Sequence, residues 1–162
     1  MPKITLRKIK PSDKKYFAKW WRDKNLLKLT SGDLRYLSDK KIEKYFQGMY
    51  KDKTNYHCMI NLGQRTVGNI SLEKRRNNWC VTQIIIGEKE YWSKGYGPKA
   101  IKLMLKKAKH WGIKNIYLEV RPANKRAIKA YEKCDFEKVR IVKHPRNKYL
   151  PRTLRMELLI QR

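Results

Sequence analysis

Residues 83–136 read QIIIGEKEYWSKGYGPKAIKLMLKKAKHWGIKNIYLEVRPANKRAIKAYEKCDF, and this stretch decides the fold. It parses as strand, loop, helix, strand, turn, helix. Ile84, Ile85 and Ile86 form a short β-branched run within 83–87 that suits a buried strand. The loop that follows ends in Lys94-Gly95-Tyr96-Gly97-Pro98-Lys99, with Pro98 expected at the first helical position, where a missing N–H costs little. Ala100, Ile101, Met104, Leu105, Ala108 and Trp111 then recur at helical spacing, and Gly112 is a suitable stop. Residues 116–120 make a second strand broken by Pro122. Asn124 is placed to cap a second helix carrying Ala127, Ile128, Ala130 and Tyr131.

The loop has a chemistry of its own. Two glycines let the backbone turn sharply and approach a ligand closely. The N–H groups of residues 94–97 lie at a helix N-terminus, where unpaired donors and the positive end of the helix dipole favour phosphate. Two motif readings compete. Gly95 to Ala100 satisfies G-x-G-x-x-A, with Glu119 24 residues beyond Gly95 as a ribose-binding acid. That fingerprint requires its glycines directly after the strand, and here residues 88–94 intervene; the chain also lacks two mononucleotide-binding halves.

The second reading is a resemblance that covers all 54 residues of the stretch. It is similar to the acetyl-CoA-binding core of the GNAT superfamily of N-acetyltransferases, and to the subgroup of ribosomal-protein N-terminal and diamine acetyltransferases. The family loop Q/R-x-x-G-x-G/A appears as Trp92-Ser93-Lys94-Gly95-Tyr96-Gly97, with Trp92 at the Gln/Arg position. The downstream LEV-R-x-x-N-x-x-A-I-x-x-Y-E-K-C-x-F runs from Leu118 to Phe136. Asp135 stands where the family has Gly, and Pro98 where it often has Thr. The resemblance implies an α/β GNAT fold: a mixed, mostly antiparallel sheet of about seven strands flanked by about four helices, forming a single domain over 1–162. It implies acetyl-CoA as co-substrate. Backbone groups of Ile84, Ile85 and Ile86 would hold the pantetheine arm, and residues 92–99 (Trp92, Ser93, Lys94, Gly95, Tyr96, Gly97, Pro98, Lys99) the phosphates. Asn124 and Ala127 would lie against the thiol region. Tyr131 takes the role of proton donor to the departing thiolate. Glu119, twelve residues before Tyr131 as in the ribosomal-protein subgroup, is the first candidate for general base, with Glu88 and Glu90 in reserve.

Composition agrees with an enzyme of this kind and narrows little else. Lys and Arg number 41 against 14 acids, a net charge of +27. Such a field attracts polyanions and opposes free polycations. The lysines are spread over every segment, so the charge reads either as general lysine bias or as residence near RNA or ribosomes. The three cysteines (Cys58, Cys80, Cys134) are irregularly spaced and read as reduced thiols of a cytoplasmic protein. No zinc-ligand spacing, transmembrane run or signal peptide is visible, and a metal is not expected.

Outside the core stretch, 3–9 reads as a strand and a helix runs from Ser12 to about Lys24, with Tyr16, Phe17, Trp20 and Trp21 on its apolar face. Those aromatics suit a core. The resemblance also makes Trp20, Trp21, Leu29, Tyr36 and Tyr45 candidates for an acceptor wall. Residues 25–35 read as a loop, and a helix starts at Ser38 or Asp39. Residues 56–62 and 66–72 form a hairpin about Gly63-Gln64-Arg65, 79–87 is a long strand, and 137–142 and 153–160 close the chain.

Transfer of an acetyl group to an amine needs a base for the ammonium proton, a donor for the oxyanion and stabilisation of the leaving thiolate. The acceptor, a protein N-terminus or a small amine, is not readable from the chain. Neither is a dimer. The competing class is a CoA-binding module without catalysis that acts by binding RNA or protein.

Overall fold

The computed structural model describes residues 2–161. Alternating apolar residues set the first half: β1 (Ile4–Lys8), β2 (Tyr56–Leu62), β3 (Arg65–Lys74) and β4 (Trp79–Ile86) run antiparallel to their neighbours. Next comes β5 (Asn115–Val120), parallel to β4, then β7 (Arg152–Leu159) and β6 (Glu137–Lys143). The seven-stranded order is β1-β2-β3-β4-β5-β7-β6.

One joint in this sheet matters most. The β4–β5 ladder covers only Trp79↔Asn115, Cys80↔Ile116 and Val81↔Tyr117. Beyond Val81 the strands diverge, while β4 stays paired to β3 as far as Ile86. Backbone groups on the β5 side of residues 82–86 therefore have no strand partner, and a buried N–H or C=O without a partner is costly.

Five α-helices lie among the described residues. α1 (Lys14–Trp20), α2 (Lys24–Leu29) and α3 (Asp39–Tyr50) pack Phe17, Trp20, Leu26 and Phe46 against Met59 on one face. α4 (Tyr96–His110) and α5 (Lys125–Glu132) bury Ile101, Met104, Ile128 and Tyr131 against the other. Three sequence expectations change here. The helix expected from Ser12 to Lys24 stops at Trp20, because the Asp23 carboxylate accepts from Asn25 N (3.0 Å) and Leu26 N (3.2 Å) and starts a new helix. The expected loop over 25–35 accordingly opens with α2, and the helix count rises from about four to five. Pro98 is not the first helical residue: α4 starts at Tyr96 after Gly95, which is left-handed at φ 83°. Other signals are where the sequence put them. Ser38 Oγ accepts from Lys41 N (3.2 Å) at the start of α3, and Gly112 (φ 76°) ends α4.

Trp20, 1% exposed, lies against Gly87, where an added Cβ would overlap the indole ring. The ring is fixed there by Nε1–H donating to Glu88 Oε1 at 3.1 Å. Gly87→Ala is therefore expected to cost about 2 kcal/mol by overpacking. Gly48→Ala, in open space on α3, should instead stabilise by roughly 0.5–1 kcal/mol. Paired urea titrations read both signs.

Candidate functional site

The divergence of β4 from β5 opens a cavity of about 290 Å³. Its floor is Ile84, Ile85 and Ile86; its walls come from α5, the start of α4 and the end of α2. Of the fourteen residues expected from sequence to bind the cofactor, all line this cavity except Lys94 and Lys99. Lys94 is exposed to solvent, and Lys99 has its ammonium 6.0 Å from the Tyr96 ring centroid.

The phosphate-type end is built from backbone. Ser93 (φ 58°) and Gly95 (φ 83°) are both left-handed, and this turn delivers the chain into the first turn of α4. Lys99 N already bonds Gly95 O at 3.3 Å, and Pro98, now the third helical residue, has no N–H. Within that first turn, Tyr96 and Gly97 hold the free donors. A Cβ on Gly97 would meet nothing within 4 Å, so internal packing does not require a glycine here and the backbone is open to close approach. No acidic residue lies in the first turn to oppose an anion.

Trp92 does something the loop pattern did not reveal. Its Nε1–H donates to Ile86 O at 2.6 Å, tying the loop to the free end of β4. The Arg126 guanidinium covers the indole at 3.7 Å from its centroid. Desolvation there lowers the Arg126 pKa from its usual value, yet the group remains cationic. Arg126, Lys129 and Lys133 are the charged lining, and no carboxylate among the described residues joins them.

On α5, Asn124 caps the helix by accepting from Ala127 N (3.3 Å) and donates Nδ2–H to Leu29 O (3.2 Å). It thereby fastens α5 to α2, whose Leu26, Leu29 and Thr30 close the cavity. Tyr131 packs its ring edge against Phe136, centroids 6.0 Å apart. Burial first, and then nearby Cys134, push the Tyr131 phenol well above its ordinary pKa of 10.0. It keeps its proton across the physiological range. Cys134 is buried with Sγ–H toward Pro98 O (3.5 Å), and burial raises its pKa too, so it is no ready nucleophile.

Glu119 is not brought to this cavity. Leu118 and Val120 point into the core beneath α4 and α5, which sends Glu119 to the opposite face of β5. There it pairs with His144 Nε2 at 3.4 Å and lies across the ladder from Arg155. The reserves are also elsewhere: Glu88 is held by Lys19 (2.7 Å) and Trp20, and neither it nor Glu90 lines the cavity. Of the residues considered for an acceptor wall, Leu29 lines the cavity; Trp20 is core, and Tyr36 and Tyr45 are exposed. Sequence reasoning missed Leu26, Thr30, Tyr91, Lys129 and Lys133; of Lys99, Lys125 and Arg126, the cations it offered for the phosphates, only Arg126 lines the cavity. The i, i+3 spacing of Leu26 and Leu29 was the available signal for the first; the cations could not be singled out among 41.

Among the described residues no three His, Cys, Asp or Glu side chains group in a way that could hold a metal ion. No helix is long and apolar enough to cross a membrane.

A family model described as an acetyltransferase (GNAT) domain matches residues 3–137. No curated protein matches the chain by sequence. Among solved structures, a domain from Methanocaldococcus jannaschii superposes with a TM-score of 0.83 at 22% identity, over 99% of this chain and 100% of that one. Spermidine N-acetyltransferase from Vibrio cholerae, in complex with CoA and spermine, gives 0.82 at 22% identity, over 96% and 95%. AAC(6')-Ib in complex with ribostamycin and coenzyme A gives 0.81 at 17% identity, over 96% and 93%. At these identities the likeness is one of fold.

Proposed function

Because this chain belongs to the GNAT acetyltransferase family, we propose that it carries the acetyl group of acetyl-CoA to a primary amine by direct attack, using the cavity between β4 and β5. The observation that carries the reading is the coincidence in one cavity of three features: backbone groups along Ile84–Ile86 without a β5 partner, free N–H donors at Tyr96 and Gly97, and the protonated phenol of Tyr131. The pyrophosphate belongs at the α4 N-terminus, with Arg126, Lys129 and Lys133 supplying counter-charge. The pantetheine arm, an amide chain, lies along the diverging edge of β4 as a strand would. One β4 N–H faces the thioester oxygen and steadies the oxyanion.

In the reaction the amine nitrogen bonds to the thioester carbon, the C–S bond breaks, and the amine proton leaves to a base. Tyr131 serves the departing sulfur. A thiol has a pKa near ~8.5 and this phenol lies above 10, so full proton transfer to the thiolate runs uphill. Tyr131 therefore acts by donating a hydrogen bond to the forming thiolate. Glu119 remains the candidate base by its spacing to Tyr131, but from the far face of β5 it reaches the amine only through water. Polyamines and aminoglycosides are acceptor classes of structural neighbours. A peptide N-terminus is the acceptor of the ribosomal-protein subgroup, which the Glu119/Tyr131 spacing resembles.

The test is acetyl-CoA binding by calorimetry on the purified chain and on Gly97→Asp. Open space at Gly97 leaves the fold intact, while a carboxylate set at the phosphate position should raise Kd at least about tenfold. Equal affinities would overturn this placement of the phosphates.

A further inference from the structure

The acidic residues of this chain are nearly all taken. Of 14, eleven stand in salt-bridge contact with a basic side chain of the protein itself, nine with Lys or Arg and two with His. The remaining three, Glu90, Asp135 and Glu137, do not line the cavity. A polycationic acceptor such as spermidine needs carboxylates to replace water around each ammonium. None is free for it at this site, whose own charges are basic.

The approach beside α2 is basic as well. Arg121 donates Nε–H to Thr30 O (3.2 Å) and Nη2–H to Tyr149 O (2.8 Å), joining the segment after α2 to the β6–β7 loop. Gly32 fits into this junction, where a side chain would overlap Arg121 and Tyr149 O. The Tyr149 ring then gathers two more cations, Arg35 at 5.2 Å and Lys148 at 5.1 Å. Asp33 pairs with Arg35 at 2.7 Å, and its charge is also felt by Lys148. Arg121 and Lys148 have no carboxylate partner among the described residues. Thr30, held by Arg121, is itself cavity lining, so this cluster borders the place where an amine must enter.

We propose that the acceptor is the α-amine of a peptide whose next residues are acidic, and that Arg35, Arg121 and Lys148 read those carboxylates. The proposal rests on the acetyltransferase reading above. Two arguments favour it over other amines. An α-amine has a pKa near ~8, against ~10.4 for a lysine-type amine, so far more of it is unprotonated at neutral pH; that counts where no carboxylate lines the cavity to take the proton. The three cations also gather about one residue, Arg35 and Lys148 at the Tyr149 ring and Arg121 at its carbonyl, a width that suits two or three residues of extended peptide rather than the length of a nucleic acid.

The experiment measures thiol release from acetyl-CoA by the full chain against peptides with one N-terminal residue followed by acidic, neutral or basic triplets. Spermidine, kanamycin and an aminoacyl-oligonucleotide complete the panel. The acidic peptide is expected to exceed the basic one at least about tenfold in kcat/KM at low salt, with the margin shrinking toward 0.5 M salt. Arg35→Glu with Lys148→Glu should abolish or reverse that order. Equal rates on acidic and basic peptides, preference for spermidine or kanamycin, or turnover only on the oligonucleotide would each overturn it. Acetyl-CoA affinity on the same preparation separates the failures. Intact binding without acidic preference removes the acceptor assignment alone; absent binding removes the acetyltransferase reading with it.

Discussion

Tyr131→Phe is expected to lower kcat about 100- to 1000-fold, the usual effect of removing one preorganised donor from a developing charge. The KM for acetyl-CoA should stay within about twofold, because the proposed placement gives the phosphates and pantetheine arm to backbone groups and to cations on other residues. The ring itself is retained, with its edge-on contact to Phe136, so thermal stability should hardly move. The pH profile adds an independent check. Burial, seconded by Cys134, keeps the phenol protonated well beyond its ordinary pKa of 10.0. Tyr131 therefore contributes no limb between pH 6 and about 10, and the variant's profile should run parallel to the parent's, displaced downward. A kcat within threefold of the parent, or a lost alkaline limb, would mean that the sulfur is served by another group.

Asp13→Ala should strongly destabilise the fold. Asp13 is 1% exposed and accepts two bonds from Arg7, at 2.7 and 2.8 Å, and one from Lys10 N at 2.7 Å. Arg7 also donates to Thr66 Oγ1 at 3.0 Å, so the pair joins β1, the turn before α1 and the start of β3. Removing one member of a buried pair strands the other. Arg7 keeps some solvent contact, which sets the expected loss at the lower end, about 3 kcal/mol, or a Tm decrease of roughly 6–12 °C. Burial raises the Asp13 pKa; the hydrogen bonds from Arg7, with the one from the Lys10 N–H, outweigh it and hold the carboxyl below its usual 3.8. Its stabilisation is thus fully present above about pH 4 and disappears as pH falls through the lower folded value. Denaturation curves of parent and variant should lie far apart at pH 7 and draw together as the pH falls below 3.8. A constant separation would locate the stability elsewhere.

How much of this was legible in the chain follows the range of the interactions. The loop and its two helices were readable because the glycine spacing, the Asn124 cap and the apolar periodicity all act within a few residues. The break between α1 and α2 was missed although its cause, Asp23, is a good capping residue: the aromatic face continued across Trp21 and masked it. Trp92 was assigned to the cofactor loop, but its bond to Ile86 O depends on where β4 ends relative to the loop. Glu119 shows the same limit from the other side. Its distance along the chain to Tyr131 is what the resemblance asks for, yet which face of β5 it occupies is fixed by which face α4 and α5 cover, where Leu118 and Val120 are buried. Arg121 was passed over as one letter of a motif. Only the meeting of two distant loops shows that it joins them.

The three-pair joint between β4 and β5 has a mechanical meaning. Strands β1 to β4 form one contiguous antiparallel unit and β5 to β7 another, and past Val81 the sheet has no stitching between them. An extended ligand that takes the free backbone groups of β4 becomes, in effect, an eighth strand made of something other than peptide. The protein without it is a split sheet clasped at one end. On the proposed placement of the pantetheine arm, the protein with it would be a continuous one, and the stiffness of the whole body would follow whether its co-substrate is in place.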